Sequence, residues 1–238
     1  MSHEILAWHG WGFGPAAFAP LCEALPPTLR LAAPELAAPA SGSFDEWVSA
    51  LTATVHPHQI LLGWSLGAQL ALAAVAAGAR PRALVLIAAT PRFVASPDWP
   101  HALDHKTVES FRNGFATQPE QTLQRFLALQ ALGDRQRRAV TATLAAARTP
   151  SIMALAPALD ALIGCDLRDR VGEVSVPTLL LHGGHDALMP RSAAIWLADR
   201  MPGARLETFA DCGHAPHVSE PAAVSRALND FIGPLADA

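Results

Sequence analysis

Residues 63–67 have the composition of a turn that carries a nucleophilic serine. They read Gly63-Trp64-Ser65-Leu66-Gly67, which fits the pattern G-x-S-x-G, and they lie between a short apolar run and an alanine-rich helical stretch. In such a turn, the glycines let the strand and the helix approach without a Cβ clash, and the helix N-terminus favours developing negative charge. The pattern therefore predicts Ser65 as the nucleophile of an acyl-transfer reaction, against the alternative of a turn that carries no reaction.

A serine hydroxyl becomes a good nucleophile only when a base, itself oriented by a carboxylate, removes its proton. His214 follows the last apolar run of the chain and Asp186 follows the one before it, so the order along the chain is serine, acid, histidine. Asp211 is a competing acid, but it is close to His214 in sequence and would need a tight local turn to reach Nδ1. We therefore predict Asp186 as the acid and His214 as the base.

Acyl transfer also needs two N–H donors for the oxyanion of the tetrahedral intermediate. Leu66 follows the nucleophile and supplies one backbone N–H group, and the turn after the first apolar run supplies the second from Trp11. The glycines of that turn do not form a dinucleotide fingerprint, because the third one comes a place too early and Pro15 follows it. We expect neither a nicotinamide nor a flavin cofactor.

Most of the remaining histidines and the cysteines are assigned structural roles. Cys212, His214 and His217 lack the spacing of a metal site, so no metal is expected. Three cysteines without CxxC spacing predict reduced thiols. His9 is expected to support its loop by hydrogen bonding, and His182 and His185 lie at a strand end near the predicted site. The histidines expected in loops or at the surface are His56, His58, His101, His105 and His217.

Short apolar runs alternate with helical stretches along much of the chain and predict an α/β fold with a mostly parallel sheet and helices on both faces. The predicted strands are residues 5–8, 59–62, 83–88, 178–181 and 205–209, and the clearest helices are residues 68–77 and 222–232. Because the carboxyl ends of parallel strands share one edge, Ser65, Asp186 and His214 are expected to meet there.

Residues 96–166 break this alternation. They contain no convincing buried strand, and their periodicity predicts amphipathic helices over residues 119–132 and 134–147. We predict an α/β core of residues 1–95 and 167–238 with an inserted helical cap of residues 96–166. From Arg112 to Arg148 the cap has six arginines against two acids, a net charge of +4, whereas the whole chain has −4.

Composition limits the class of protein. The 238 residues are 51% hydrophobic and 16% charged, which is enough apolar surface for a large core and excludes general disorder. A mildly acidic chain has no global positive field for nucleic acid. No apolar run reaches the ~20 residues of a membrane span, and the first residues lack a signal-peptide pattern. We expect a cytoplasmic monomer without nucleic-acid or membrane partners.

Several segments together resemble the α/β-hydrolase family and, within it, the methyl ester esterases that act on pimeloyl-[acyl-carrier protein] in biotin synthesis. The resemblance covers nearly the whole chain, and the tryptophan in the serine turn and the segment of residues 125–130 are its most specific parts. The segments that carry it are His9-Gly-Trp-Gly12, Gly63-Trp-Ser-Leu-Gly67, Asp98-Trp-Pro100, Arg125-Phe-Leu-Ala-Leu-Gln130, Asp166-Leu-Arg168 and His214-Ala-Pro216.

The resemblance implies a serine esterase that releases methanol, with Ser65, Asp186 and His214 as its triad. It implies that acyl carrier protein is the partner and that the cap residues Arg125 and Arg138 hold it, although a solvated charged face is the alternative. The residues it implies in substrate binding are Trp11, Ser65, Leu66, Phe126, Leu127, Ala128, Leu129, Gln130 and His214. Packing within the cap is the alternative for Phe126, Leu127 and Leu129.

The chain also departs from the family pattern. Residues 33–38 lack the glycine-rich turn that is common in relatives, and two other arginine positions of the cap are Gln121 and Ala142 here. Arg135, Arg137 and Arg148 are the candidates to replace those arginines. Two other functions stay open: a broad short-chain carboxylesterase or thioesterase with the same triad, and a non-catalytic ligand-binding member of the fold.

Overall fold

One parallel sheet organises the molecule. A computed structural model describes residues 2–39, 41, 43–149 and 152–237. Within these residues, six strands pair in the order β2-β1-β3-β4-β5-β6, and every pair is parallel. The strands are β1 (His3–Trp8), β2 (Leu29–Ala32), β3 (Ile60–Trp64), β4 (Ala83–Ile87), β5 (Thr178–Gly183) and β6 (Arg205–Phe209).

Helices flank the sheet and connect its strands. The helices of the described residues are α1 (Ala19–Ala24), α2 (Phe44–Thr52), α3 (Leu66–Ala76), α4 (His105–Thr117), α5 (Pro119–Gln130), α6 (Arg137–Ala146), α7 (Leu155–Gly164), α8 (Arg191–Arg200), α9 (Pro216–Ser219) and α10 (Pro221–Ile232). Short 3-10 helices cover Pro15–Phe18, Ile152–Ala154, Val171–Glu173 and Gly233–Asp237. The predicted fold class is confirmed.

The central strands explain why their sequence is continuously apolar. Every residue of β3 and β4 is buried, because helices cover both faces of a parallel sheet. Helix α3, which follows β3, is buried over nearly its whole length and ends just before Gly78, whose φ of 112° suits a glycine. The predicted bounds of these elements differ from the observed ones by one or two residues.

Helices α4 to α7 occupy the chain between β4 and β5. The two helices predicted there correspond to α5 and α6, but α5 ends earlier and α6 begins later than predicted, because Gly133 adopts a φ of 81° in the turn between them. Helices α4 and α7 were not among the predicted ones. The treatment of residues 96–166 as a separate cap stays a prediction, and we use the word cap for this segment.

Ion pairs join the two points at which the chain enters and leaves the cap. Arg92 pairs with Asp166 at 2.9 Å, and Arg168 pairs with Asp98 at 2.7 Å. The guanidinium carbon of Arg168 also lies 5.8 Å from the ring centre of Trp99. The motifs Asp98-Trp-Pro100 and Asp166-Leu-Arg168 therefore fasten the base of the cap.

The structure also bears on the cysteines and on membrane spans. Cys22, Cys165 and Cys212 are all free thiols, as their number and spacing predict. Among the described residues, there is no helix with the length and apolar character needed to cross a membrane.

Candidate active site

Ser65 lies at the turn between β3 and α3 in a strained conformation. Its φ is 57° and its ψ is −118°, a region that residues other than glycine rarely adopt. A Cβ atom on Gly67 would collide with the carbonyl oxygen of Trp8, and one on Gly63 would collide with the carbonyl oxygen of Gly67. The two glycines of the G-x-S-x-G pattern are therefore required by close backbone packing on both sides of the serine.

The structure brings Ser65, Asp186 and His214 together, as the sequence predicts. His214 Nδ1 lies 2.7 Å from Asp186 Oδ2, and His214 Nε2 lies 2.8 Å from Ser65 Oγ. A carboxylate only accepts hydrogen bonds, so Nδ1 carries the proton and Nε2 is free to accept from the serine hydroxyl. All three residues are buried, which strengthens these hydrogen bonds relative to water.

The carboxylate of Asp186 is held by its own loop. Its Oδ1 accepts from the backbone N–H groups of Leu188 and Met189, each at 2.9 Å. Burial raises the pKa of Asp186, but the charge and hydrogen bond of His214 outweigh it, so the pKa lies below its usual value. The competing acid Asp211 is largely exposed and lies 3.8 Å from Arg135 instead.

Three other histidines near the strand ends differ in their burial and in their hydrogen-bond partners. His9 Nδ1 lies 3.1 Å from the carbonyl oxygen of Gly10, and its Nε2 accepts from the N–H of Leu36 at 3.2 Å, so its predicted supporting role is confirmed. His182 is buried and donates from Nε2 to the carbonyl oxygen of Met189 at 2.8 Å, which supports the Asp186 loop. His185 is exposed.

The prediction that His217 is a loop or surface group is wrong. The residue lies in α9 and is completely buried, with its ring 4.7 Å from that of Trp64 and 5.3 Å from that of Phe18. Neither ring nitrogen has a hydrogen-bond partner among the described residues. Burial lowers the pKa of His217 to about 3, so the ring is neutral at physiological pH. The apolar neighbours Pro216 and Val218 were the sequence signal for this burial.

The two predicted oxyanion donors lie beside the serine turn. An added Cβ on Gly10 would be 3.2 Å from the Cβ of Ser65, so the turn that contains Trp11 packs directly on the serine. Within the described part of the chain, neither the N–H of Trp11 nor that of Leu66 donates to a backbone or side-chain acceptor. The Trp11 indole instead donates to the carbonyl oxygen of Leu155 at 2.7 Å, which fixes this turn against the cap.

Aromatic side chains of the cap surround the Trp11 ring. Phe111, Phe115 and Phe126 contact it edge to face, with ring centres 5.0 to 5.5 Å away. Phe111 and Phe115 were missed by the sequence analysis; their spacing of four residues on one apolar helix face was the available signal. The aromatic cluster forms an apolar wall next to the predicted oxyanion turn.

The residues of α5 that the resemblance implies in substrate binding lie in several different environments. Phe126 and Leu129 line a small apolar cavity of about 40 Å³ together with Phe111 and Leu188. Leu127 is buried in the apolar core, and Gln130 is buried with no partner for its side-chain amide among the described residues. Ala128 lies at an outer groove beside Arg137 and Arg138, away from this cavity.

The arginines of the cap differ in their ion pairs. Arg112 pairs with Asp160 at 2.8 Å, Arg148 with Glu120 at 2.9 Å, and Arg135 with Asp211 at 3.8 Å. Within the described part of the cap, the exposed arginines without an ion pair are Arg125, Arg137 and Arg138. Of the three candidates to replace missing arginines, Arg137 therefore has the most available charge.

The side chains of the described residues also limit metal binding. They include no group of three or more His, Cys, Asp or Glu residues arranged to hold a metal ion. The two histidines considered for such a site have other contacts: His214 bonds to Asp186 and Ser65, and His217 packs among aromatic rings.

Comparison with known proteins identifies the family. Residues 5–227 match the model described as the alpha/beta hydrolase family. The chain belongs to the alpha/beta hydrolase family. The curated protein named Pimeloyl-[acyl-carrier protein] methyl ester esterase from Aromatoleum aromaticum is 40% identical and covers 96% of this chain and 98% of its own length. The protein of the same name from Nitrosomonas europaea is 34% identical and covers 92% and 91%.

Two solved structures share the fold of this chain. An esterase from Exiguobacterium antarcticum and bromoperoxidase from Bacillus anthracis each align with a TM-score of 0.85 and 20% identity, covering 98% of this chain and 92% of theirs. The resemblance indicated by the sequence motifs is confirmed by the curated relatives.

Proposed function

We propose that this alpha/beta hydrolase is a serine carboxylesterase in which Ser65 attacks the ester carbonyl. The observation that carries the proposal is the chain of two short hydrogen bonds from Asp186 through His214 to Ser65, at 2.7 and 2.8 Å. This is the geometry in which one histidine first accepts the serine proton and then donates it to the leaving group. A non-catalytic binding role would not require all three groups in this arrangement.

The proposed reaction has two halves. His214 Nε2 takes the proton of Ser65 as Oγ attacks, and the N–H groups of Trp11 and Leu66 stabilise the oxyanion. The imidazolium then protonates the departing alcohol, while the carboxylate of Asp186 stabilises its positive charge. Water attacks the acyl-enzyme by the same route, and Ser65 is regenerated. No cofactor takes part.

For the substrate, we propose the methyl ester of pimeloyl-[acyl-carrier protein], which would yield methanol and free pimeloyl-[acyl-carrier protein] in biotin synthesis. Support comes from the names of relatives that are 34 to 40% identical over more than 90% of the chain. The apolar wall of Phe111, Phe126 and Leu129 suits a methylene chain. The exposed charges of Arg125 and Arg138 suit an acidic carrier protein, acting mainly on the rate of association.

The apolar cavity is too small to hold the proposed acyl chain without a change in side-chain positions. Its volume of about 40 Å³ is well below the roughly 300 Å³ of the smaller pockets that enclose small-molecule ligands. A pimeloyl chain can enter only if side chains of α4 and α5, such as Phe111 and Phe126, move apart. The same small volume favours the second candidate, a broad esterase or thioesterase for short acyl groups.

The two candidates differ in the acyl group that they hydrolyse best. We would measure methanol release from the pimeloyl-carrier methyl ester beside hydrolysis of p-nitrophenyl acetate, with wild type, Ser65→Ala and the matched control Ser192→Ala. Efficient cleavage of the carrier ester that is lost only in Ser65→Ala supports the proposed substrate. Cleavage of p-nitrophenyl acetate alone supports the short-chain enzyme, and full activity in Ser65→Ala overturns both.

A further inference from the structure

The turn between α5 and α6 is hydrogen-bonded to the loop that carries His214. The N–H of His214 itself donates to the carbonyl oxygen of Gln130 at 2.9 Å. On one side, the N–H of Arg135 donates to the carbonyl oxygen of Asp211 at 2.9 Å. On the other side, the Gln136 amide donates to the carbonyl oxygen of Ser219 at 2.6 Å. The backbone around the base thus depends on the cap.

Asp134 lies at the centre of this contact. Its carboxylate is buried, with the residue only 6% exposed, and it accepts three hydrogen bonds. Oδ2 accepts from the N–H of Gly213 at 2.8 Å, and Oδ1 accepts from the hydroxyl of Ser219 at 2.8 Å and from the N–H of Gln136 at 2.7 Å. Gly213 directly precedes His214, and Ser219 lies further along the chain after it. The Asp134 side chain therefore binds the backbone before the base and a side chain after it.

Only a group that accepts on both oxygens fits this place. The N–H groups of Gly213 and Gln136 point at different oxygens of Asp134, and a backbone N–H cannot reverse its role. An asparagine at this position would turn its own NH₂ group toward one of the two backbone donors. Because the site is buried, that donor would then lack an acceptor, and the loop would shift to satisfy it.

The sheet core holds other groups of the same loop, because the indole N–H of Trp64, at the end of β3, donates to the carbonyl oxygen of His214 at 2.9 Å. From β6, the N–H of Cys212 donates to Phe209 at 3.1 Å, and the N–H of His185 donates to Cys212 at 2.9 Å. The sheet core therefore holds the carbonyl group of His214, whereas the cap holds its N–H group. A shift of this backbone would lengthen the 2.8 Å contact from His214 Nε2 to Ser65.

We propose that Asp134 is a positioning residue that holds His214 in register with Ser65. The inference rests on the proposed roles of these two residues in catalysis. Asp134 acts through the backbone of Gly213 and the hydroxyl of Ser219, and it touches neither the substrate nor the reacting atoms.

The far end of α6 is fastened in a similar way to the turn that contains Trp11. The N–H of Gly14 donates to the carbonyl oxygen of Ala147 at 3.0 Å, and Phe13 pairs with Arg148 in an antiparallel bridge. Helix α6 therefore links the loop of the base to the turn of the oxyanion donor.

The test is the isosteric variant Asp134→Asn, assayed with p-nitrophenyl acetate. We expect kcat to fall about 10- to 100-fold at unchanged KM, because a displacement of about 1 Å in a catalytic group costs up to 10²-fold. The rate of Ser65 labelling by a fluorophosphonate falls by the same factor. Ser219→Ala, which removes one of the three donors, lowers kcat less. Asp160→Asn, an acid-to-amide change in an exposed ion pair of the cap, leaves kcat unchanged.

Thermal unfolding separates positioning from simple stabilisation. For each variant, kcat is calculated per folded molecule. The folded fraction is measured by circular dichroism at the assay temperature, which is kept well below the midpoint of unfolding. If Asp134→Asn only lowers that midpoint and keeps kcat per folded molecule within about two-fold of wild type, the positioning role is wrong. An equal fall in kcat for Ser219→Ala and Asp134→Asn also overturns the positioning role. Activity that persists in Ser65→Ala would instead contradict the proposed function.

Discussion

The indole N–H of Trp64 donates a 2.9 Å hydrogen bond to the carbonyl oxygen of His214. Trp64 directly precedes Ser65, so the turn of the predicted nucleophile is bonded to the backbone of the predicted base. The N–H of His214 is held by Gln130 on the other side. The peptide groups flanking the base are thus fixed both by the sheet core and by the cap.

This relationship gives a physical reason for the tryptophan in the serine turn. From the sequence alone this tryptophan is only a mark of resemblance, because a residue between glycine and serine has no chemical role of its own in the pattern. The structure shows that its ring is buried and packs 5.9 Å from the ring of His214 and 4.7 Å from that of His217. Both hydrogen bonding and packing therefore connect Trp64 to the loop of the base.

Asp186 and Asp211 are predicted to differ sharply in their effect on turnover. Asp186→Asn replaces the acceptor of the His214 Nδ1 proton and should lower kcat about 10³- to 10⁴-fold, as expected when the orienting acid of such a triad becomes an amide. Asp211→Asn changes an exposed group near Arg135 and should leave kcat within about two-fold of wild type. The measurement is kcat for p-nitrophenyl acetate, and equal effects of the two substitutions would contradict the assignment of the acid.

His217→Phe is predicted to stabilise the protein at neutral pH. The buried imidazole has no hydrogen-bond partner among the described residues, and phenylalanine would keep its packing against Trp64 and Phe18 without a buried polar group. We expect the free energy of unfolding to rise by about 1–2 kcal/mol. Urea unfolding at pH 7 measures it, with the exposed His56→Phe as control. A lower stability for His217→Phe would indicate that the ring has a polar partner.

The same residue predicts a pH dependence of stability. The folded pKa of His217 is about 3, below the unfolded value of 6.5, so the unfolded chain binds more protons between these two values. Its contribution therefore becomes more destabilising as pH falls below about 6.5, by roughly 2 kcal/mol at pH 5. Unfolding curves at pH 7 and pH 5 should show a smaller loss in His217→Phe than in wild type. Parallel losses in the two proteins would contradict the buried neutral state.

Arg125 and Arg138 are predicted to act on the carrier substrate alone. Arg125→Glu and Arg138→Glu should lower kcat/KM for the pimeloyl-carrier ester several-fold, and more at low salt, because exposed charges steer association and are screened by salt. Hydrolysis of p-nitrophenyl acetate should be unchanged. Arg226→Glu on α10 is the matched control, with the same change in net charge. An equal loss in the control would mean that only the total charge matters.

The sequence was sufficient to predict the sheet and the three central side chains because both depend on local patterns. Apolar runs followed by glycine mark buried parallel strands, and the carboxyl ends of such strands share one edge. Ser65, Asp186 and His214 each follow a strand, so their meeting required only the order of the elements. The choice between Asp186 and Asp211 likewise followed from the reach of a side chain.

The remaining features depend on contacts between distant parts of the chain. The polarity of histidine predicts a surface position for His217, whereas in the structure α9 packs its ring against Trp64. The role of Asp134 needed the position of the Gly213 backbone, which lies 79 residues away in the sequence. Phe111 and Phe115 contact Trp11 only because α4 packs on the turn after β1 that contains Trp11. The spacing of Phe111 and Phe115 on one helix face indicates that they are buried, but it does not identify the residue against which they pack.

The central claim is that Ser65 becomes acylated during turnover, and mass spectrometry tests it most directly. The enzyme would be quenched in acid during hydrolysis of p-nitrophenyl acetate, digested and analysed for the peptide that contains residues 63–67. The account predicts an acetyl group on Ser65 in wild type and no modified peptide in Ser65→Ala, which should also be inactive. An acyl group on another residue, or turnover that continues in Ser65→Ala, would contradict it.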